Sequence, residues 1–128
     1  MSPLRALLLA VVSLAAGGCG VEGRGLGREE AALLTGGDPV EGQRLLRAYG
    51  CWTCHTIPGV PGADTRVGPP LVGVAGRMYI AGLLANNPEN LIRWIEDPTA
   101  IDSLTAMPDV GATTAEARDI AAYLYTLR

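Results

Sequence analysis

Three stretches of the chain combine a helix-start signal with hydrophobic residues spaced along one helical face. The first begins at Asp38, where a capping aspartate is followed by a first-turn proline, and it ends near Gly50. The second begins at Asn87 with the same cap and proline, and it ends before Pro98, which cannot continue a helix. The third begins at Thr113 with the spacing of a capping box. The apolar positions of these helices are Leu45, Leu46 and Tyr49; Leu91, Ile92, Trp94 and Ile95; and Ala117, Ile120, Ala121 and Leu124.

The segments between these helices are rich in glycine and proline and lack the alternation of apolar and polar residues that strands show. Residues 37–128 have a length suited to one small domain with one core. The pattern therefore predicts an all-α fold over residues 37–128, with three main helices joined by long loops.

The part of the chain before residue 37 follows a different pattern. Arg5 precedes an apolar run over residues 6–16, which falls short of the ~20 residues that a membrane-spanning helix needs. Small residues then lead to Cys19. This arrangement predicts an export signal over residues 1–18. Residues 19–36, rich in glycine and charge, predict a flexible tether.

Residues 14–19, which read LAAGGC, resemble the lipobox of bacterial lipoproteins. The resemblance implies that Cys19 becomes the first residue of the mature chain and is lipid-modified, which would anchor the protein to a membrane. The alternative is ordinary cleavage, with Cys19 left as an incidental thiol.

Composition narrows the choice of ligands. The chain has 13 acidic residues against 10 basic ones, and this negative balance argues against nucleic acid as a partner. Phenylalanine is absent and aromatic residues make up 5% of the chain. A small domain with so few large apolar side chains would gain from a bound apolar group at its centre.

Residues 51–55 read Cys-Trp-Thr-Cys-His, a spacing typical of covalent c-type haem attachment. Two thiols three residues apart can bond the two vinyl groups on one edge of the porphyrin, and the adjacent imidazole can then coordinate the iron. The sequence therefore predicts one haem c, held through Cys51 and Cys54.

Three alternatives exist for this motif. A zinc site needs about four ligands, but His55 is the only histidine and Cys19 is the only other cysteine. A redox dithiol would be expected within a βαβ pattern, which the chain lacks. A disulfide between Cys51 and Cys54 would close a small, strained ring. None of these alternatives accounts for the rest of the sequence.

The motif and the segments around it resemble class I cytochromes c. The matching segments are Gly42 to Leu46 with Cys51 to Thr56, Gly68 to Leu71 with Gly73, Gly76 and Arg77, Asn90 to Pro98 leading to Met107 and Pro108, and Asp119 to Leu124. From Asn87 onward the chain is similar to the cytochrome c domains of bacterial respiratory oxidases. The resemblance implies the class I cytochrome c fold, with helices and loops wrapped around one haem.

The resemblance also implies the two iron ligands. His55 would be the proximal ligand and Met107 the distal ligand, a pair that raises the reduction potential relative to two histidines. Met78 is the rival to Met107. Met107 lies in a loop before a proline, a position better suited to ligation than to core packing.

Further residues match family positions with known roles. The backbone carbonyl of Pro69 would accept the proton on the other ring nitrogen of the proximal histidine. Arg77 would bind a haem propionate, and Trp94 would lie against the haem. The alternatives are a turn proline, a solvated arginine and a core tryptophan. Gly42 and Tyr123 match the close crossing of the first and last helices.

These features predict an electron-transfer protein rather than an enzyme. We expect a periplasmic, lipid-anchored carrier that passes single electrons from a donor complex to a terminal oxidase or reductase. A fixed cytochrome c subunit of such a complex is one alternative. A haem sensor or peroxidase, in which the Met107 bond is labile, is another.

Overall fold

The computed structural model describes residues 25–128, and helices form most of the regular structure there. The helices are α1 (Arg28–Thr35), α2 (Pro39–Ala48), α3 (Pro88–Glu96), α4 (Pro98–Ile101) and α5 (Thr114–Thr126). This confirms the predicted all-α class.

Shorter elements lie between α2 and α3. Two 3₁₀ turns cover Cys51–Thr53 and Val74–Gly76. Two strands of two residues each, β1 (Tyr79–Ile80) and β2 (Leu84–Ala85), pair antiparallel. Most of this region is loop, as the glycine and proline content predicted.

The three predicted helix starts are confirmed by their caps. The Asp38 carboxylate accepts a hydrogen bond from the backbone N–H two residues on, at 2.8 Å. The Asn87 side chain does the same for the N–H three residues on, also at 2.8 Å. Thr113 and Glu116 form the complete capping box of α5. Pro98 ends α3, as expected, but it also opens the short helix α4.

Residues 28–35 were predicted to belong to a flexible tether, and for them that prediction is wrong. They form α1, which packs against α5, and its Ala31 is fully buried. The backbone N–H of Leu26 donates to the Tyr125 carbonyl of α5 at 2.8 Å. The helix is stabilised by these contacts with α5, which local sequence patterns do not reveal.

Helix α5 lies at the centre of the fold and packs against α1, α2 and α3. A Cβ atom at Gly42 would lie 1.9 Å from the Asp119 carbonyl oxygen, so only glycine allows α2 to approach α5 this closely. This confirms the predicted crossing at Gly42. The Tyr123 hydroxyl donates to the Pro58 carbonyl at 2.7 Å and thereby ties α5 to the loop after residue 55.

The predicted export signal over residues 1–18 and the predicted lipidation site Cys19 lie outside the described residues. Within residues 25–128, no helix has the length and hydrophobicity that crossing a membrane requires.

Candidate cofactor site

A cavity of about 710 Å³ lies between α2, α3, α5 and the loops that join them. Its volume is in the range of small-molecule and cofactor sites. The aliphatic part of its wall consists of Leu46, Val67, Leu71, Val74, Ile80, Leu91, Ile95, Val110, Ile120 and Leu124. Such a wall suits a ligand with a large apolar surface.

One end of the wall is formed by the turn that follows α2. Gly50, with φ of +74°, ends the helix and redirects the chain into the 3₁₀ turn at Cys51. The backbone N–H groups of Cys54 and His55 both donate to the Cys51 carbonyl, at 3.3 and 3.0 Å. The turn thus brings both thiols and the imidazole to the same cavity.

The two cysteines are free thiols. Burial raises the pKa of the Cys51 thiol, so it is protonated at neutral pH. Residues 25–128 contain no group of three or more histidine, cysteine or acidic side chains that could hold a metal ion. Neither a disulfide nor a zinc site is therefore present in this part of the chain.

The imidazole of His55 has a defined orientation. Its Nδ1 lies 2.7 Å from the Pro69 carbonyl oxygen. A carbonyl can only accept, so Nδ1 carries the proton and Nε2 keeps a lone pair that can coordinate a metal. The structure thus brings Pro69 and His55 together in the arrangement that the resemblance implied.

Gly68 packs against the same imidazole, and the sequence reasoning did not single it out as a site residue. A Cβ atom there would lie 2.5 Å from Cε1, 2.8 Å from Nδ1 and 3.0 Å from Nε2 of His55. Its backbone N–H donates to the Cys54 carbonyl at 2.7 Å. A glycine directly before two prolines was the available signal.

The two candidate methionines differ in their surroundings. Met107 is partly buried in the loop between α4 and α5 and lines the cavity. Its backbone N–H donates to the Thr105 hydroxyl at 3.2 Å. Met78 is 77% exposed and is not part of the cavity wall. Only Met107 of these two shares the cavity with His55.

Arg77 also lines the cavity, but its guanidinium is partly engaged elsewhere. Its Nη2 donates to the backbone carbonyls of Pro70 and of Val72, the latter at 3.0 Å. Next to it, the Asn86 side chain lines the cavity and donates to the Arg77 carbonyl at 2.9 Å. No pattern in the sequence had pointed to Asn86.

Trp94 lies on the buried face of α3 and contributes to the cavity wall. Its side chain is 9% exposed. The structure therefore brings it to the cavity, where it also belongs to the hydrophobic core.

The residues present fit a haem c. The cavity is large and mainly apolar, two thiols stand three residues apart on its wall, and one imidazole nitrogen is available as a ligand. Residues 51–55 would bind the group covalently and coordinate it, and a thioether sulfur is available in the same cavity from Met107.

Two curated proteins are similar to this chain. Cytochrome c oxidase subunit 2 of Alkalihalophilus pseudofirmus is 35% identical over 91 residues, covering 69% of this chain and 25% of that protein. Cytochrome c oxidase subunit 2 of Bacillus sp. (strain PS3) is 35% identical over 68 residues, covering 50% of this chain and 19% of that protein. The match thus spans about a quarter of the first relative's length and about a fifth of the second's.

The family model for cytochrome c matches residues 39–128. This range includes every helix from α2 onward and every residue that lines the cavity. The chain therefore belongs to the cytochrome c family, as a class I c-type cytochrome whose chemistry is electron transfer at a haem.

Proposed function

We propose that this cytochrome carries single electrons between respiratory complexes, using one haem c bound through Cys51 and Cys54. The observation that carries the proposal is that both thiols, the free Nε2 of His55 and the Met107 side chain share one apolar cavity. Bound haem would supply an iron that gains and loses one electron at a time.

The protein side chains limit what can happen at this iron. His55 and Met107 would both coordinate the iron, which would leave no position for oxygen or peroxide to bind. The Pro69 carbonyl keeps the imidazole in one tautomer and orientation. The apolar wall excludes water and disfavours the more highly charged oxidised state.

Arg77 and Trp94 would act on the rest of the haem. The nitrogens of Arg77 that are not bonded to the loop carbonyls would bind a propionate. Trp94 would pack against the ring, as its position in the cavity wall supports.

Substitution of the two methionines tests the ligand assignment. Met107→Ala should abolish the weak red absorption band that sulfur ligation gives an oxidised cytochrome c, lower the reduction potential and permit carbon monoxide binding. Met78→Leu is the matched control and should change none of these. If the unmodified protein lacks the band and binds carbon monoxide rapidly, the electron-carrier proposal fails and a haem sensor or peroxidase is favoured.

A fixed subunit of an oxidase or reductase is the second candidate. It is favoured by the two relatives, both of which are named as subunit 2 of cytochrome c oxidase. Extraction in mild detergent separates the candidates, because a fixed subunit should co-purify with its complex in constant ratio. A carrier should elute alone and be oxidised by a terminal oxidase in a salt-dependent, bimolecular reaction.

We also propose that the protein is held at the outer face of the cytoplasmic membrane by a lipid on Cys19. The support is the lipobox-like sequence over residues 14–19. Mass spectrometry of the mature protein would report haem and lipid together. Cys19→Ala should move a haem-loaded protein from the membrane to the soluble periplasmic fraction, and an unchanged distribution would contradict the anchor.

A further inference from the structure

A row of hydrogen bonds leads from α5 towards the loop that holds the proximal histidine. The Tyr125 hydroxyl donates to Asn86 Oδ1 at 2.9 Å. Asn86 Nδ2 in turn donates to the backbone carbonyl of Val74 at 2.7 Å and to that of Arg77 at 2.9 Å. Asn86 thus connects α5 to the segment that carries Arg77.

The Arg77 side chain continues the row. Its Nη2 donates to the carbonyls of Pro70 and Val72. Pro70 directly follows Pro69, whose carbonyl accepts the proton of His55 Nδ1 at 2.7 Å. Four hydrogen bonds, connected through the Arg77 side chain and the Pro69–Pro70 peptide bond, therefore join the last helix to the imidazole. Within residues 25–128, no residue of this row forms a salt bridge.

The Asn86 amide has one orientation that satisfies all its neighbours. Both of its N–H groups face backbone carbonyls, which can only accept. Its oxygen therefore faces the Tyr125 hydroxyl, which donates. Burial raises the pKa of Tyr125 to about 12, so this hydroxyl remains a donor at physiological pH. The amide is held on three sides, which suits a residue whose role is to position others.

We propose that Tyr125 and Asn86 are positioning residues for the proximal ligand. By holding Arg77 in place, they hold the loop over residues 69–72 at the distance that keeps the Pro69 carbonyl bonded to His55. This inference rests on the proposed role of His55 as an iron ligand.

The row should affect the reduction potential through the hydrogen bond between His55 and the Pro69 carbonyl. A strong hydrogen bond from Nδ1 makes the imidazole more basic and stabilises the oxidised iron. Loosening the loop weakens this bond, so the reduction potential rises. If the network only stabilised the fold, breaking it by mutation would lower the melting temperature and leave the reduction potential unchanged.

Helix α5 offers a matched pair of tyrosines for the test. Tyr123 and Tyr125 are 7% and 5% exposed, and each donates one hydrogen bond. Tyr123 bonds to Pro58 and is not part of the cavity wall. Tyr125→Phe and Tyr123→Phe each remove one hydroxyl and should lose similar stability, but only the first breaks the row.

The measurements are made on the haem-loaded protein. Voltammetry should show a higher reduction potential for Tyr125→Phe than for the unmodified protein, with Tyr123→Phe unchanged. Proton NMR of the reduced protein should show an upfield shift and faster solvent exchange of the His55 ring N–H in Tyr125→Phe alone. Equal changes in both variants, or no change in either, would overturn the proposal.

Asn86→Leu provides a second variant of similar size. It removes all three side-chain bonds, so it should raise the potential more than Tyr125→Phe does. Adding Tyr125→Phe to Asn86→Leu should have no further effect, because the two residues act in series. If the two substitutions shifted the reduction potential additively, Asn86 and Tyr125 would not act in series.

Failure of this inference is distinct from failure of the proposed function. If His55→Ala assembled with an unchanged spectrum, the ligand assignment would be wrong. If His55→Ala lost its native spectrum while the two tyrosine variants behaved alike, only the positioning role would be lost.

Discussion

Replacement of Gly68 by alanine tests the packing around the proximal histidine most directly. The added Cβ would lie 2.5 Å from His55 Cε1 and 2.8 Å from Nδ1. Carbon atoms in favourable contact lie about 3.5–4.0 Å apart. The imidazole would therefore have to move by roughly 1 Å, because the Gly68 backbone is itself fixed by its hydrogen bond to Cys54.

The cost of this substitution has two parts. Overpacking of a fixed site costs about 1–3 kcal/mol. A movement of roughly 1 Å also stretches the 2.7 Å contact between His55 and Pro69 beyond hydrogen-bonding distance, which costs about 1 kcal/mol. We expect the free energy of unfolding to fall by about 2–4 kcal/mol and the reduction potential to rise.

Denaturant unfolding and voltammetry of the haem-loaded protein measure both effects. Gly76→Ala is the control, because nothing lies within 4 Å of a Cβ at that position and its φ is not positive. The control should change stability by less than about 0.5 kcal/mol. If Gly68→Ala were as stable as the control and kept the original potential, the assignment of Gly68 to the histidine site would be refuted.

Three further predictions concern the fold. Gly42→Ala should destabilise the protein by about 3 kcal/mol, because both helices meet through backbone atoms and neither can yield; unfolding like that of the Gly76→Ala control would contradict the crossing. Thr113→Ala should cost about 1 kcal/mol by removing the α5 cap, measured by thermal unfolding, and a change confined to the haem spectrum would argue against it. Burial raises the pKa of Tyr125 from 10.0 to about 12, so the folded state retains its proton after the unfolded chain has lost it. The stability that the protonated Tyr125 contributes below pH 10 should therefore be lost as the pH rises to 12, by at most about 3 kcal/mol. In Tyr125→Phe the free energy of unfolding should decrease less between pH 10 and 12. The same decrease in the variant and the unmodified protein would show that Tyr125 does not cause it.

The parts of the fold that the sequence predicted are those built on local chemistry. Asp38, Asn87 and Thr113 cap their helices through side-chain bonds to backbone groups two or three residues away. Such contacts depend only on neighbouring residues, so capping patterns and apolar spacing were sufficient. Helix α1 has Gly27 at its N-cap and no side-chain cap, and its stability comes from burial of Ala31 by α5. That contact could not be inferred from local pattern.

The residues of the site likewise fall into those that the local sequence predicts and those that it does not. One turn of the chain carries Cys51, Cys54 and His55, so their spacing was enough to predict a haem site. Gly68 and Asn86 carry no such signal. Gly68 acts through its lack of a side chain beside an imidazole from another segment. Asn86 meets Tyr125 across a sequence separation of 39 residues. These roles become visible only when the chain is folded.

Because α1 packs against α5, the linker between the folded domain and an anchor at Cys19 would be shorter than the predicted tether. A flexible tether over residues 19–36 could span at most about 60 Å, whereas residues 19–24 alone could span at most about 20 Å. The chain also leaves the domain at a defined place, beside Thr126 at the end of α5. If Cys19 carries the proposed lipid, the anchor would hold this cytochrome close above the bilayer and would restrict its partners to proteins whose redox centres lie at a similar height.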